Sequence, residues 1–258
     1  MRKLVLLIYF CSLTIFAFNM SVCAEDVPDS KKQLDVATNA TDEDAEYVDI
    51  EMEATFVKDS IQPFNRAVFT FNDKVYYWFF RPLSNGYKAV LPEMARLGVR
   101  NFFINIRMPV RFFNCVFQGK FKGAGTEALR FVINTTVGGA GFSDPAKKYF
   151  KLDIHEEDFG QTLGKYNVGA GSFIELPLLG PSNLRDAIGL LGDIALDPIT
   201  LLTFVSPFAS TGASSYNTLN DVSIDKGDTY ESLVEQAIDP YIAIQDAYSQ
   251  NRTKKIRE

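Results

Sequence analysis

The sequence predicts an all-α protein built from many short helices. Three observations carry this. Eleven prolines and 17 glycines fall where helices open and close. The segments between them repeat apolar residues at helical spacing, and only Phe173–Leu176 has the pattern of a short strand, one half of a small hairpin. The chain carries more apolar and aromatic residues than a soluble bundle of its size needs, with 22 Phe in 258 residues. No segment after the N-terminus is a clean membrane span. An all-helical body lodged in one membrane leaflet satisfies both facts.

Residues 1–24 read as a signal peptide. Arg2 and Lys3 precede an apolar run from Leu4 to Phe18, roughly 15 residues where a spanning helix needs about 20. The alternative is an uncleaved anchor. Val22-Cys23-Ala24 allows two routes: cleavage after Ala24, or lipidation of Cys23. Val22 is bulkier than the residue usual before a lipidated cysteine, which favours the first. Residues 25–55 carry 11 acidic side chains against Lys31 and Lys32. With few large apolar residues they form an acidic linker that cannot bury enough surface to fold. The helical body is expected over 56–250, and 251–258 form a basic tail.

Within the body, Pro63 opens a helix to about Phe80. Phe64, Val68, Phe71, Val75 and Trp78 form one apolar face, and Phe69, Tyr76 and Phe80 load a second. Only Arg66, Thr70, Asp73 and Lys74 form a polar stripe, so this helix meets protein or lipid around most of its circumference. Pro82, Pro92 and Pro109 sit at plausible helix starts, and Gly119 ends the third of these. A helix follows from about Gly125 to Thr136, then Gly138-Gly139-Ala140-Gly141. Asp144-Pro145 and Asp197-Pro198 look like N-caps followed by proline. Leu184, Ile188, Leu191 and Ala195 mark a further helix. The last runs near 230–250 with a kink at Asp239-Pro240.

Charge divides the body. Residues 56–151 are net +10 and hold 15 of the Phe, while 152–251 are net −12. Cations beside aromatics suit a surface that meets anionic lipid. The export signal and acidic linker argue against nucleic acid.

Catalytic chemistry is missing from the pattern. His155 is the only histidine, which excludes a two-histidine metal site within one chain. His155-Glu156-Glu157-Asp158 reads as the acidic first turn of a helix. No G-x-S-x-G elbow, P-loop or G-x-G-x-x-G occurs. Cys115 lies among Phe112, Phe113, Val116 and Phe117 and reads as a small buried hydrophobe. Asp186 and Asp193 read as caps or ion pairs. No cofactor is expected. The run 158–189 holds six glycines and two prolines. That density points to close backbone approach around a shaped apolar surface.

Several separated motifs now stand in one order. They are Pro63-Phe64-Asn65-Arg66 with Phe69-Thr70-Phe71-Asn72; Gly98 to Phe103; Phe131 to Gly138 with Gly141 to Pro145; Asp158–Gly189; and Asp239 to Ile242 with Ala247-Tyr248. Over roughly 56–250 the chain closely resembles the MlaA family, also called VacJ. The resemblance implies a ring-shaped α-helical protein in the inner leaflet of a Gram-negative outer membrane. It implies a porin trimer as partner, and passage of mislocalised phospholipid through an amphipathic channel to an MlaC-like periplasmic carrier. Gly138, Gly139 and Gly141 match the family's channel hinge. Phe64, Asn65, Arg66, Phe69, Phe71 and Asn72 become candidates for lipid contact or the channel frame. Family members are usually lipoproteins, from which Val22 before Cys23 departs. The competing function is a structural or host-interaction envelope protein without lipid transport.

Overall fold

The computed structural model describes residues 58–258. The signal peptide, Cys23 and the acidic linker lie outside the described residues. Helix α1 spans Gln62–Val75 with Pro63 in its first turn. It passes without a break through a π-helical turn, Tyr76–Phe80, into α2, Arg81–Val90. The expected stop at Phe80 is therefore a widened turn. Pro82 has no N–H and would clash with the carbonyl four residues back, and a π turn there relieves the clash. The same turn sends Tyr76 and Phe80 inward against Val222 and leaves Trp78 79% exposed.

Helix α3 is Glu93–Ile106, capped by Pro92, and α4 is Met108–Phe117. Gly119, at φ +73°, closes α4 as the C-terminal left-handed residue. Helix α5, Phe121–Thr136, starts four residues earlier than expected. Gly123 inside it faces Cys115 Sγ, which would lie 3.2 Å from an added Cβ. Packing thus offsets the poor helix propensity of glycine. Asp144 caps α6, Pro145–Phe150, accepting from the Lys147 amide. Asp158 caps α7, Phe159–Lys165. The acidic run therefore precedes this helix instead of forming its first turn.

Strands β1, Phe173–Leu176, and β2, Gly180–Asn183, pair antiparallel, Phe173 opposite Asn183. Asn183 caps α8, Leu184–Leu196, and Asp197 caps α9, Pro198–Leu201. A 3-10 turn, Leu202–Phe204, leads to α10, Pro207–Asp221. A second π turn, Val222–Lys226, continues into α11, Gly227–Gln236. Asp239 does not kink a long helix. It caps a separate one, α12, Pro240–Arg257, accepting from the Tyr241 and Ile242 amides. The basic tail is thus the last turns of α12.

These elements close a circuit. Helix α1 packs on β1; β2 packs on α12; α12 on α7; α7 on α8; α8 on α9; and α9 on α10. Helix α10 returns to α2, which joins α1 through the first π turn. Helices α3 to α6 attach through α10, α8 and α7. The fold is all-α with one hairpin, ring-like in its connections. The glycine run works at its tightest point, where a Cβ on Gly189 would lie 2.5 Å from the Gly160 amide nitrogen. Helices α7 and α8 meet backbone to backbone there.

Candidate functional site: a polar interior beneath an apolar surface

Burial in this protein is inverted. Among the described residues 12 hydrophobic side chains are buried, against 25 polar or charged ones. Thirty-one large hydrophobic residues are exposed. Single exposed apolar side chains are ordinary, but a surface of them is not. The stripe Leu184, Ile188 and Leu191 on α8, which reads like a core face in sequence, points outward. Beyond it, Phe204, Val205 and Phe208 form a tip, each at least 85% exposed. No single helix among the described residues is long and apolar enough to cross a membrane. Only Leu184–Leu196 with Pro198–Phe204, bent by 66°, reaches that length and composition as a pair.

Buried polar groups must be bonded to one another, and most here are. Asn65, fully buried, donates to Asp59 Oδ1 at 2.8 Å and to the Phe173 carbonyl, and accepts from the Glu175 amide. Asn72 donates to Glu175 Oε1 and the Leu176 carbonyl and accepts from the Leu178 amide. That last bond holds Leu178 at φ +63°. The two asparagines, seven residues apart on one face of α1, therefore fasten the hairpin. Arg66 pairs with Asp239 at 2.7 Å and lies over the Tyr241 ring, against which Phe69 packs edge-on. Phe64 and Phe71 face outward, each at least half exposed. Of the six residues expected to contact lipid or frame a channel, Asn65, Arg66, Phe69 and Asn72 bond or pack against the hairpin and α12, while Phe64 and Phe71 are exposed.

A second polar layer lies between α4, α5 and the strand-free segment after α6. Glu127 is fully buried and accepts from Arg111 Nε and from the His155 amide, both at 2.7 Å. Asn114 donates to Asp193 and accepts from Thr162. Cys115 lies beside them, buried, its thiol pushed up to about 11 by desolvation. It is a packed side chain, as its apolar neighbours suggest. No group of three His, Cys, Asp or Glu among the described residues could hold a metal.

In the third layer Asp186 forms the kind of ion pair the sequence suggested, but its partner Arg252 was illegible. Arg252, 5% exposed, pairs with Asp158 at 2.5 Å and Asp186 at 2.8 Å. Asp186 also accepts from the Tyr248 hydroxyl. Burial alone would raise Asp158, but Arg252 outweighs it and holds the carboxyl at about 2. On α10, Ser210, Ser214, Asn217 and Thr218 are buried. Their spacing is helical, but a hydrophobic pattern cannot reveal it.

Six buried side-chain atoms among the described residues lack a partner, and the one on a carboxylate belongs to Glu175. It is 2% exposed and its Oε2 has no partner. Desolvation pushes it from 4.5 up to about 8, although the Asn72 bond opposes this. Below pH 4.5 folded and unfolded chains both carry the proton. Between 4.5 and about 8 only the folded one keeps it, so stability declines as pH rises across that window. Glu175→Gln should flatten this decline and raise stability at pH 8 by about 2 kcal/mol or more. Thermal melts of both proteins at pH 5 and pH 8 check it; parallel curves would refute it.

The glycine segment Gly138–Gly141 joins α5 to α6 and lies against α3. Gly139 and Gly141 have φ of +63° and +92°, and Ala140 between them is also left-handed. An added Cβ at Gly141 would meet Asn105 at 2.7 Å. Gly138 needs no unusual φ, yet a Cβ there would lie 2.4 Å from the Asn134 carbonyl and 2.5 Å from that of Ser143. Phe142 follows and stacks on Phe102 at 4.9 Å.

Comparison with known proteins gives this arrangement a context. The family model described as MlaA lipoprotein matches residues 57–255. The chain is 32% identical over 200 residues to the intermembrane phospholipid transport system lipoprotein MlaA of Escherichia coli, covering 74% of this chain and 76% of that protein. It is 30% identical over 212 residues to the corresponding protein of Haemophilus influenzae, covering 78% and 80%. A solved structure, reported as the structural basis for maintenance of bacterial outer-membrane lipid asymmetry, superposes with a TM-score of 0.67 at 30% identity. It covers 77% of this chain and 99% of its own. A match spanning nearly every described helix shows that the chain belongs to the MlaA lipoprotein family.

Proposed function

We propose that the protein is a non-enzymatic phospholipid translocation component of the outer membrane, lodged in the periplasmic leaflet. It removes mislocalised phospholipid from the outer leaflet and passes it to an MlaC-like periplasmic carrier, with a porin trimer as its membrane partner. The inverted burial carries this reading, with apolar side chains outside and bonded polar side chains inside. A charged headgroup loses hydration in a wholly apolar passage. A ring that is apolar toward the bilayer and polar within offers both parts of a phospholipid a surface. Outward Phe64 and Phe71 are assigned to acyl-chain contact. Asn65, Arg66, Phe69 and Asn72 are assigned to the frame.

The test is deletion of the gene followed by measurement of outer-leaflet phospholipid. A rise with loss of detergent resistance is expected. Unchanged asymmetry would overturn the reading and favour a structural envelope protein.

The Gly138–Gly141 segment is proposed as the hinge beside the lipid path. The two glycine types separate motion from packing. Gly139 has no atom within 4 Å of an added Cβ, so Gly139→Ala should cost about 1 kcal/mol of backbone strain and leave the fold intact. It should nevertheless impair asymmetry. Gly138→Val meets two carbonyls and should lower the melting temperature instead. A folded Gly139→Ala protein with normal asymmetry removes the hinge role.

A further inference from the structure

Ion pairs use up much of the basic half. Arg66, Arg81, Lys120 and Arg130 are each within 3 Å of a carboxylate, three of them from residues beyond 151. Charge separation along the sequence thus becomes charge pairing in the fold. Of the basic residues outside this scheme, three cluster at one corner. Lys147, Lys148 and Lys151 are exposed, and none has a carboxylate within 4 Å among the described residues. They belong to α6 and its C-cap, which also present Tyr149 and Phe150, 67% and 59% exposed. Lys148 Nζ lies 5.3 Å from the Tyr149 ring centre.

The helix holding them is firmly seated. Its other face, Pro145 and Ala146, is buried. Asp144, which caps it, is held by Arg130 and Asn134 from α5. The neighbouring chain exposes Val132, Val137 and Phe142. The corner therefore combines a rigid base, aliphatic and aromatic side chains, and three unpaired cations. Lysines extend their charge toward polar headgroups while rings enter the boundary beneath.

We propose that Lys147, Lys148 and Lys151, with Tyr149 and Phe150, bind the anionic headgroups of the bilayer and place α6 at headgroup level. The proposal rests on the lipid-facing reading of the apolar surface. The acidic segment 25–55 has the complementary charge too. It is short on large apolar residues and offers the rings nothing to enter, so the bilayer is the better occupant.

The experiment measures binding of the mature exported chain to vesicles of phosphatidylcholine alone and of phosphatidylcholine mixed with phosphatidylglycerol. The variant is Lys147→Gln, Lys148→Gln, Lys151→Asn. Each cation near a charged bilayer contributes a factor of about five. The triple variant should therefore lose roughly 100-fold of its preference for anionic vesicles at low salt, with binding to phosphatidylcholine and melting temperature unchanged. Tyr149→Ser with Phe150→Ser should weaken binding to both vesicle types. Retained anionic preference in the lysine variant overturns the proposal. So does a lysine effect that vanishes once the acids of 25–55 are changed to amides, because the linker is then the occupant. Wild-type protein that binds neither vesicle refutes the lipid-facing reading itself, a result distinct from equal binding to both, which refutes only the headgroup contact.

Discussion

Arg252→Ala is expected to destabilise the protein by about 3–5 kcal/mol, because it strands Asp158 without its counter-charge and leaves Asp186 with Arg185 alone. Asp158 caps α7 and Asp186 lies in the first turn of α8. Arg252 reaches both from α12, so three elements lose their common tie. At roughly 2–4 °C per kcal/mol for a domain of this size, the melting temperature should fall by about 10 °C. Arg252→Lys should recover only part, since one ammonium cannot serve two carboxylates as a planar guanidinium does. The wild-type pair gives stability above the ordinary carboxylate range that is lost as pH falls toward about 2. Thermal melts of detergent-solubilised protein decide the matter. Unchanged melting would mean that the last turns of α12 are a solvated tail.

Phe204→Asp with Phe208→Asp is the second large effect, and its direction is opposite in kind. These rings are 88% and 85% exposed, so they add little to folding. On a lipid-facing tip, a carboxylate near the bilayer interior costs about 3 kcal/mol. Vesicle binding should weaken about 100-fold while the melting temperature in detergent holds. Binding that survives the substitution would remove this tip from the membrane surface. A large drop in melting temperature would assign the rings to packing instead.

Much of the helical organisation was legible because its signals are local. The caps Asp144 and Asp197, the proline starts at 63, 92 and 109, and the Gly119 stop are each fixed by one or two residues. Where reading failed, another force had won. A π turn carries the chain through Phe80, which looks like an end. Helix α10 was not anticipated, since its buried side is serine, asparagine and threonine and gives no apolar period. Helix α8 shows such a period, but the stripe faces outward. The pattern identified an amphipathic helix without saying which side was the core.

The candidate site divides in the same way. Phe64, Asn65, Arg66, Phe69, Phe71 and Asn72 stood out as a group, and the structure separates exposed Phe64 and Phe71 from Asn65 and Asn72, which are bonded to the hairpin. Glu175 and Arg252 were missed, because a carboxylate and a guanidinium acquire meaning only from burial and from partners 66 to 103 residues away.

By itself the sequence determined the helical class and the acidic and basic division of the body. These depend on composition and neighbouring residues. Tertiary structure decided which faces are inside, which charges are spent on each other, and which remain. Those outcomes arise from contacts between distant segments, where burying a polar group is tolerable only once its partner has arrived.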